Sequence, residues 1–373
     1  RRGAGGAKLM TLQSFHRRVI GEGAPVWARP VRTVLAGVSR IYGAVVRARN
    51  ARFDAGIGVA RVKAPVICIG NLTVGGTGKT PIVVDVVRRL SADGLRPAVI
   101  LRGYGAVGGG ESDEQQLIRR VCRGVVCVAD KDRVRGARTA IEHHATDVLV
   151  LDDGFQHRRL GRDLDLVLID ATCPLGFERL IPRGLLREPV EGLRRAHALI
   201  VTRTDEVGPE VLTALRERLT ELCRDMPVVQ TRHCAVGLSH LDGAPAADDV
   251  RGRRVFAFAG IGNPESFRTT LTHLGAEIAG IRWLRDHARY SPGVVRALLR
   301  AASAAGADLL TTTEKDAVKL GAYADEFENR LRVVRIEIEY VGDGAAVLEG
   351  LIRRTLRSRC AAGEGNPIVE SAQ

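Results

Sequence analysis

Residues 64–90 read APVICIGNLTVGGTGKTPIVVDVVRRL, an apolar run of strand length, a loop with three glycines, and an amphipathic helical pattern. Gly75, Gly76 and Gly78 leave backbone N–H groups unscreened by side chains, so these groups can converge on phosphate oxygens. The helix that starts beside Gly78 turns its positive end toward the same point. Lys79 then reaches the terminal phosphates of a nucleotide, and the Thr80 hydroxyl can ligate Mg²⁺. A full phosphate loop reads G-x-x-x-x-G-K-[ST]. Thr73 stands at the first glycine, but the core GGTGKT keeps the cradle, so Thr73, Val74, Gly75, Gly76, Thr77, Gly78, Lys79 and Thr80 are the candidate nucleotide-binding residues.

From residue 65 onward, apolar β-branched runs (PVICIG, PAVIL, VVCV, DVLVL, DLVLI, HALIV) alternate with helical stretches near 80–92, 112–122 and 132–144. Buried parallel strands flanked by helices read this way. A second α/β series begins near 253 with RVFAFAG and ends with RVVRIEIEY. The turn-rich segment LSHLDGAPAADDVRGR predicts a boundary, giving a catalytic unit at 65–240 and a smaller α/β unit at 241–358. Residues 1–26 and 359–373 are expected to be loose, and 27–64 to form a helix with its lead-in. The 373 residues suffice for two domains.

The net charge of +13 favours a polyanionic partner, and 4% aromatics disfavour base stacking, so nucleic acid is not expected. Seven scattered cysteines without C-x-x-C spacing fit a reducing compartment rather than a zinc or disulfide framework. No apolar run reaches the ~18–20 residues that span a bilayer, and no signal peptide is evident. Within 31–52, Val31, Val34, Leu35, Val38, Ile41, Tyr42, Val45 and Val46 recur at helical spacing, with Arg32, Arg40, Arg47, Arg49 and Arg52 mostly on other faces. Two readings fit this pattern: a helix lying in a membrane interface, or a packed helix with a solvated basic face.

TDVLVLDDGFQH, residues 146–157, is an apolar strand ending in Asp152 and Asp153. Carboxylates at the end of a parallel strand face the nucleotide crevice, where they can hold Mg²⁺ and orient a ligand. His157 follows closely enough to orient one of them, whereas helix-dipole compensation accounts for His143 and His144.

GNLTVGGTGKTP, LRGYG, LDDGFQHRRL, LIPRGLLREP, FAGIGNPESF, RDHARYS and TTTEKDAVKL occur in this order. Together they closely resemble the tetraacyldisaccharide 4′-kinases of lipid A biosynthesis, from about residue 27 to 340. The resemblance implies two Rossmann-like three-layer domains of the P-loop kinase type, preceded by an amphipathic helix, with the site between them. It implies ATP- and Mg²⁺-dependent phosphorylation of the 4′-hydroxyl of an acylated glucosamine disaccharide 1-phosphate. It implies a place on the cytoplasmic face of the bacterial inner membrane, peripheral or shallowly anchored against anionic lipid; a monomer is expected. Residue by residue, Lys79 and Thr80 match the loop pair, and Asp152 and Asp153 the DDG pair. Arg102 matches the arginine of SRGYG, Asp113 the aspartate of GDEP, Glu188 the glutamate of LREP, and Asp286 with His287 the DH pair; Arg133 matches within DKDRVRGA. Departures are Leu101 for Ser, Ser112 for Gly, Gln115 for Pro, and Arg183 for a small residue.

Phosphoryl transfer to a sugar hydroxyl is mainly positioning plus charge neutralisation. Asp113 is the candidate acceptor of the hydroxyl proton and His287 its helper from the second unit, while Arg102 and Arg133 can hold phosphate charge. An N-terminal cap is the plainer role for Asp113. Acyl chains leave a bilayer only at ~0.8 kcal/mol per CH₂, so the resemblance favours the membrane reading of the helix. A partitioning-type switch ATPase shares GGxGK[ST] but carries Lys where Val74 stands, and a nucleic-acid-dependent ATPase rests on charge alone. TTTEKD lacks the N-K-x-D spacing that reads guanine.

Overall fold

The computed structural model describes residues 19–21, 25–103 and 111–361. Most of the leading extension, the GAVGGG segment before Asp113 and the end of the tail lie outside the described residues. Eleven strands form one sheet in the order β3-β2-β4-β1-β5-β6-β7-β11-β10-β8-β9. In the first half these are β1 (Val66–Asn71), β2 (Pro97–Leu101), β3 (Val126–Ala129), β4 (Val148–Asp152), β5 (Leu164–Asp170), β6 (Ala198–Thr202) and β7 (Val228–Ser239). The second half adds β8 (Arg254–Ala259), β9 (Glu277–Trp283), β10 (Leu309–Thr313) and β11 (Leu331–Tyr340). Every ladder is parallel except β7 with β11. The central strands β1, β2, β4 and β6 are buried along their whole length, as their unbroken apolar runs require.

The helices are α1 (Ala28–Asp54), α2 (Lys79–Ala92), α3 (Asp113–Val121), α4 (Arg133–His144), α5 (Pro209–Leu222), α6 (Pro264–His273), α7 (Pro292–Ala304), the single turn α8 (Glu314–Ala317) and α9 (Gly344–Ala361). Helices α2 to α4 begin within one residue of the positions that their periodicity predicts. The structure differs from the sequence reading around the boundary. Strand β7 runs to Ser239 and pairs with β6 on one side and β11 on the other, so the two halves share one sheet. Helix α9 then crosses back, burying Leu348, Ile352 and Leu356 in the core of the first half with Ile82, Val86 and Leu164.

Helix α1 buries Ala28, Ser39, Gly43 and Val46. Trp27 just before it, and Val31, Val34, Val38, Ile41 and Val45 along it, form an exposed stripe, with Val34, Ile41 and Val45 each 64–70% exposed. The solvated face is therefore apolar as well as basic. Beneath it, the Ser39 hydroxyl donates to the Leu180 carbonyl at 2.8 Å and accepts from Arg183 N–H at 3.0 Å. Among the described residues no helix is long and apolar enough to cross a membrane.

Candidate active site

Strand β1 delivers the glycine loop to α2 at the middle of the sheet, between β4 and β5. Gly78 caps α2 at φ +80°, and no side chain accepts from the first turn, so those N–H groups point into the loop. The loop carbonyls are held from behind. Thr202 Oγ1 donates to the Thr77 carbonyl at 3.0 Å, and Arg203 Nη2 to the Gly76 carbonyl at 3.0 Å. Arg203 is also ion-paired with Asp170. With the carbonyls turned outward, the loop N–H groups are left to face an anion. Thr73 forms a bridge with Leu186, and Val74 N–H donates to the Leu185 carbonyl at 2.8 Å. Thr73 thus lines a smaller cavity behind the loop, not the main cleft. The Lys79 ammonium donates to Asn71 Oδ1 at 3.2 Å and lies 3.3 Å from Asp153 Oδ1.

Asp152 and Asp153 end β4 beside the loop, and the two carboxyls are driven apart. Burial, then the charges of Glu114 and Asp153, push Asp152 up to about 7, with Lys79 and Arg133 pulling the other way. Burial also opposes charge on Asp153, but Lys79 and Arg187 outweigh it and lower its pKa. Asp152 Oδ1 is buried without a protein partner. A cation is the group that a buried, unpaired carboxylate oxygen beside a loop threonine fits. Among the described residues no cluster of three or more His, Cys, Asp or Glu can hold a metal alone. A cation bound here would have Thr80, Asp152 and Asp153 as its side-chain partners.

Arg102 and Arg133 line the same cleft. Arg133 is 2% exposed; its Nη1 donates to the Asp130 carbonyl at 2.9 Å, and burial lowers its pKa. Arg187, which the motif comparison passed over, holds both oxygens of Asp153 at 2.9 Å. Glu188 is placed differently from the expectation. It is fully buried and does not line the cleft; it accepts from Arg195 at 2.7 Å, Gln156 at 2.8 Å and Asn50 at 3.0 Å. With its oxygens so engaged, it ties α1 to the loop that carries Arg187. His157 lines the cleft, and burial lowers its pKa to about 4.

The second half closes over this end of the cleft. Gly262 packs so tightly on the loop that a Cβ there would lie 2.7 Å from Gly76 N. His287 Nδ1 meets Asp113 Oδ2 at 3.2 Å across the two halves. Asp113 does not cap α3: Ser112 does, in a capping box with Gln115. Burial resists charge on Asp113, but the bond from His287 and the Lys319 ammonium outweigh it and lower its pKa. Asp286 Oδ1 accepts from Lys315 at 2.9 Å. Asp286, His287 and Lys315 line a cleft of about 960 Å³ that reaches Tyr42 and Arg49 of α1.

A lysine-bearing glycine loop and a strand-end carboxylate pair, overlooked by an acid–histidine contact from a second α/β half, define a P-loop enzyme of phosphoryl transfer. The chain belongs to the tetraacyldisaccharide-1-P 4′-kinase family, whose model matches residues 31–356. It is 43% identical over 333 residues to the tetraacyldisaccharide 4′-kinase of Anaeromyxobacter dehalogenans (strain 2CP-C), covering 83% of this chain and 87% of that one. Identity to the Geobacter sulfurreducens tetraacyldisaccharide 4′-kinase is 40% over 337 residues, 84% of this chain and 92% of that one. The fold is similar to that of LpxK from Aquifex aeolicus, an "apo" form crystallised in complex with ATP. The TM-score is 0.69 at 28% identity, covering 87% of this chain and 99% of that one. The family match does not favour the switch-ATPase reading.

Proposed function

We propose that the protein transfers the γ-phosphoryl group of ATP to the 4′-hydroxyl of a tetraacyldisaccharide 1-phosphate, a late step in building lipid A. The observation that carries this is the family match, which spans the loop, the strand-end carboxylates and the cross-cleft pair. The ATP complex of the Aquifex aeolicus relative supports the nucleotide. In this reading residues 74–80 cradle the phosphates and Lys79 neutralises charge on the transferring group. Thr80, Asp152 and Asp153 would hold Mg²⁺, which would supply neutralisation of phosphate charge. Arg102 and Arg133, which line the cleft, hold phosphate oxygens. Asp113 takes the hydroxyl proton as the new O–P bond forms and the β–γ bridge breaks to release ADP. His287 and Lys319 both engage Asp113 Oδ2, so Oδ1 is the oxygen assigned to the proton.

The exposed stripe of α1 supports a peripheral monomer, its apolar edge in the acyl layer and its arginines on anionic headgroups at the cytoplasmic face of the inner membrane. The test is ADP release with and without the acylated disaccharide. A kinase releases ADP only with its acceptor; steady turnover of ATP alone would favour the partitioning-type ATPase.

A further inference from the structure

The segment TTTEKDAVKL matches the family order; its Lys319 engages Asp113, but its Lys315 has no role in the chemistry above. Thr313 caps its first turn by accepting from Asp316 N–H. Asp316, fully buried, accepts from Gly260 N–H and from the Thr313 hydroxyl at 2.9 Å each. The turn is thereby fastened to the loop after β8, and it presents two lysines four residues apart. They differ in what they meet. The Lys319 ammonium donates to the Ala288 carbonyl at 3.2 Å and is ion-paired with Asp316 Oδ1 at 3.0 Å and Asp113 Oδ2 at 3.4 Å. Lys315 meets Asp286 Oδ1 at 2.9 Å and His287 Nε2 at 3.3 Å.

An ammonium has donors and no acceptor. A ring nitrogen bonded to it must therefore be the unprotonated one. In a neutral imidazole that places the proton on Nδ1, the atom facing Asp113 Oδ2. His287 is also held by its backbone: φ is +56°, its N–H donates to the Gly260 carbonyl at 3.3 Å, and Asp286 Oδ1 accepts from the same N–H at 3.1 Å. Asp286 thus anchors both the histidine backbone and the lysine that reads its ring. The charged groups facing the imidazole are Asp113 from α3, Asp286 beside it, and Lys315 with Lys319 from the α8 turn.

We infer that Lys315 is a positioning residue: it fixes the Nδ1–H tautomer of neutral His287, so that the second half delivers a donor, not an acceptor, to Asp113. The opposite tautomer would set a lone pair against the carboxylate and break the contact that joins the halves. This inference rests on the proposed role of Asp113, and its test is chosen so that the two can fail separately.

The tautomer is read in the resting holoprotein by long-range ¹⁵N–¹H correlation on histidine-labelled enzyme, with His287→Gln assigning the signal. Wild type should carry the proton on Nδ1, and Lys315→Met should lose that preference. In kinetics, Lys315→Met should lower kcat by ~10–100-fold with KM for ATP and for the disaccharide within about twofold, the pattern of a lost orienting contact. Lys315→Gln, which keeps a neutral donor, should recover part of kcat. Thermal melting and ATP binding monitor folding in each variant. An Nε2–H tautomer in wild type, or an unchanged tautomer in Lys315→Met, overturns the inference. So does a rise in either KM at unchanged kcat, which would make Lys315 a phosphate ligand. Failure of the wild type to phosphorylate the lipid would remove the proposed reaction and leave the tautomer to be decided by the resonance measurement.

Discussion

The Tyr42 hydroxyl donates to the Arg187 carbonyl at 2.6 Å. Tyr42 belongs to the helix with the exposed apolar stripe, and the side chain of Arg187 grips Asp153, which pairs with Lys79. Asn50, one turn past Arg47, repeats the link by donating to Glu188 at 3.0 Å. The helix with the exposed apolar stripe and the phosphate loop are thus joined through residues 187 and 188. Tyr42→Phe removes one hydrogen bond, a loss of about 1 kcal/mol. Turnover should fall about 2–10-fold through a looser Asp153, while sedimentation with anionic liposomes stays unchanged. Steady-state kinetics beside a liposome spin assay check both halves of this expectation.

The stripe itself is tested by Val34→Asp combined with Ile41→Asp. Both side chains are about 70% exposed, at 68% and 70%, so the fold loses little when they change. In an acyl layer each fully buried side chain of this size is worth ~1.5–3 kcal/mol. The double variant should bind anionic liposomes at least ~10-fold more weakly with an unchanged melting temperature. Equal sedimentation of the two proteins would contradict membrane binding through this stripe.

Ser112 and Asp113 are neighbours whose substitutions should have opposite consequences. Ser112→Ala removes the cap of α3 and should cost ~1 kcal/mol of stability. Asp113→Ser keeps that cap but loses the contacts to His287 and Lys319, and should lower kcat by ~10²–10⁴, as for a lost general base. Differential scanning calorimetry and initial rates on the same four proteins (wild type, each single variant and the double) separate the two effects.

His233 of β7 lies against the loop; a Cβ on Gly78 would come within 2.9 Å of its ring. Burial, with Arg203 alongside, lowers its pKa to about 3. The unfolded value is ~6.5. Between these values the unfolded chain binds one more proton, so stability falls as the pH drops below ~6.5. At pH ~5 the loss is about 1–2 kcal/mol from this group. His233→Gln should lose less melting temperature between pH ~7.5 and ~5 than wild type. Parallel losses would mean that the imidazole is protonated with little resistance in the fold.

Local chemistry made the nucleotide half of the site legible. GGTGKT and LVLDD each carry their signal within a few residues of strand and loop, and the structure brings them together by pairing β4 beside β1. The β7 strand escaped because VVQTRHCAVGLS mixes polar and apolar residues on half-buried faces, and only its partners β6 and β11 make it a strand. Helix α9 was missed for a related reason: its buried residues Leu348, Ile352 and Leu356 form one narrow row among arginines. Glu188 stood out in LREP, but the chain bends at residues 187 and 188, and it is Arg187 that lines the cleft while Glu188 is buried. Arg203 and Lys315 carry no spacing signal at all. Their partners, Gly76 and His287, lie 127 and 28 residues away in sequence and meet them only once the sheet is formed.

The most direct measurement follows a labelled γ-phosphoryl group. The protein is incubated with γ-labelled ATP, Mg²⁺ and tetraacyldisaccharide 1-phosphate, and the position of phosphate on the recovered lipid is assigned by ³¹P–¹H correlation. The account predicts a doubly phosphorylated disaccharide with label on the 4′-oxygen, one ADP per lipid, and none of this with Lys79→Ala. Label released only as inorganic phosphate, or placed on another hydroxyl, would contradict it.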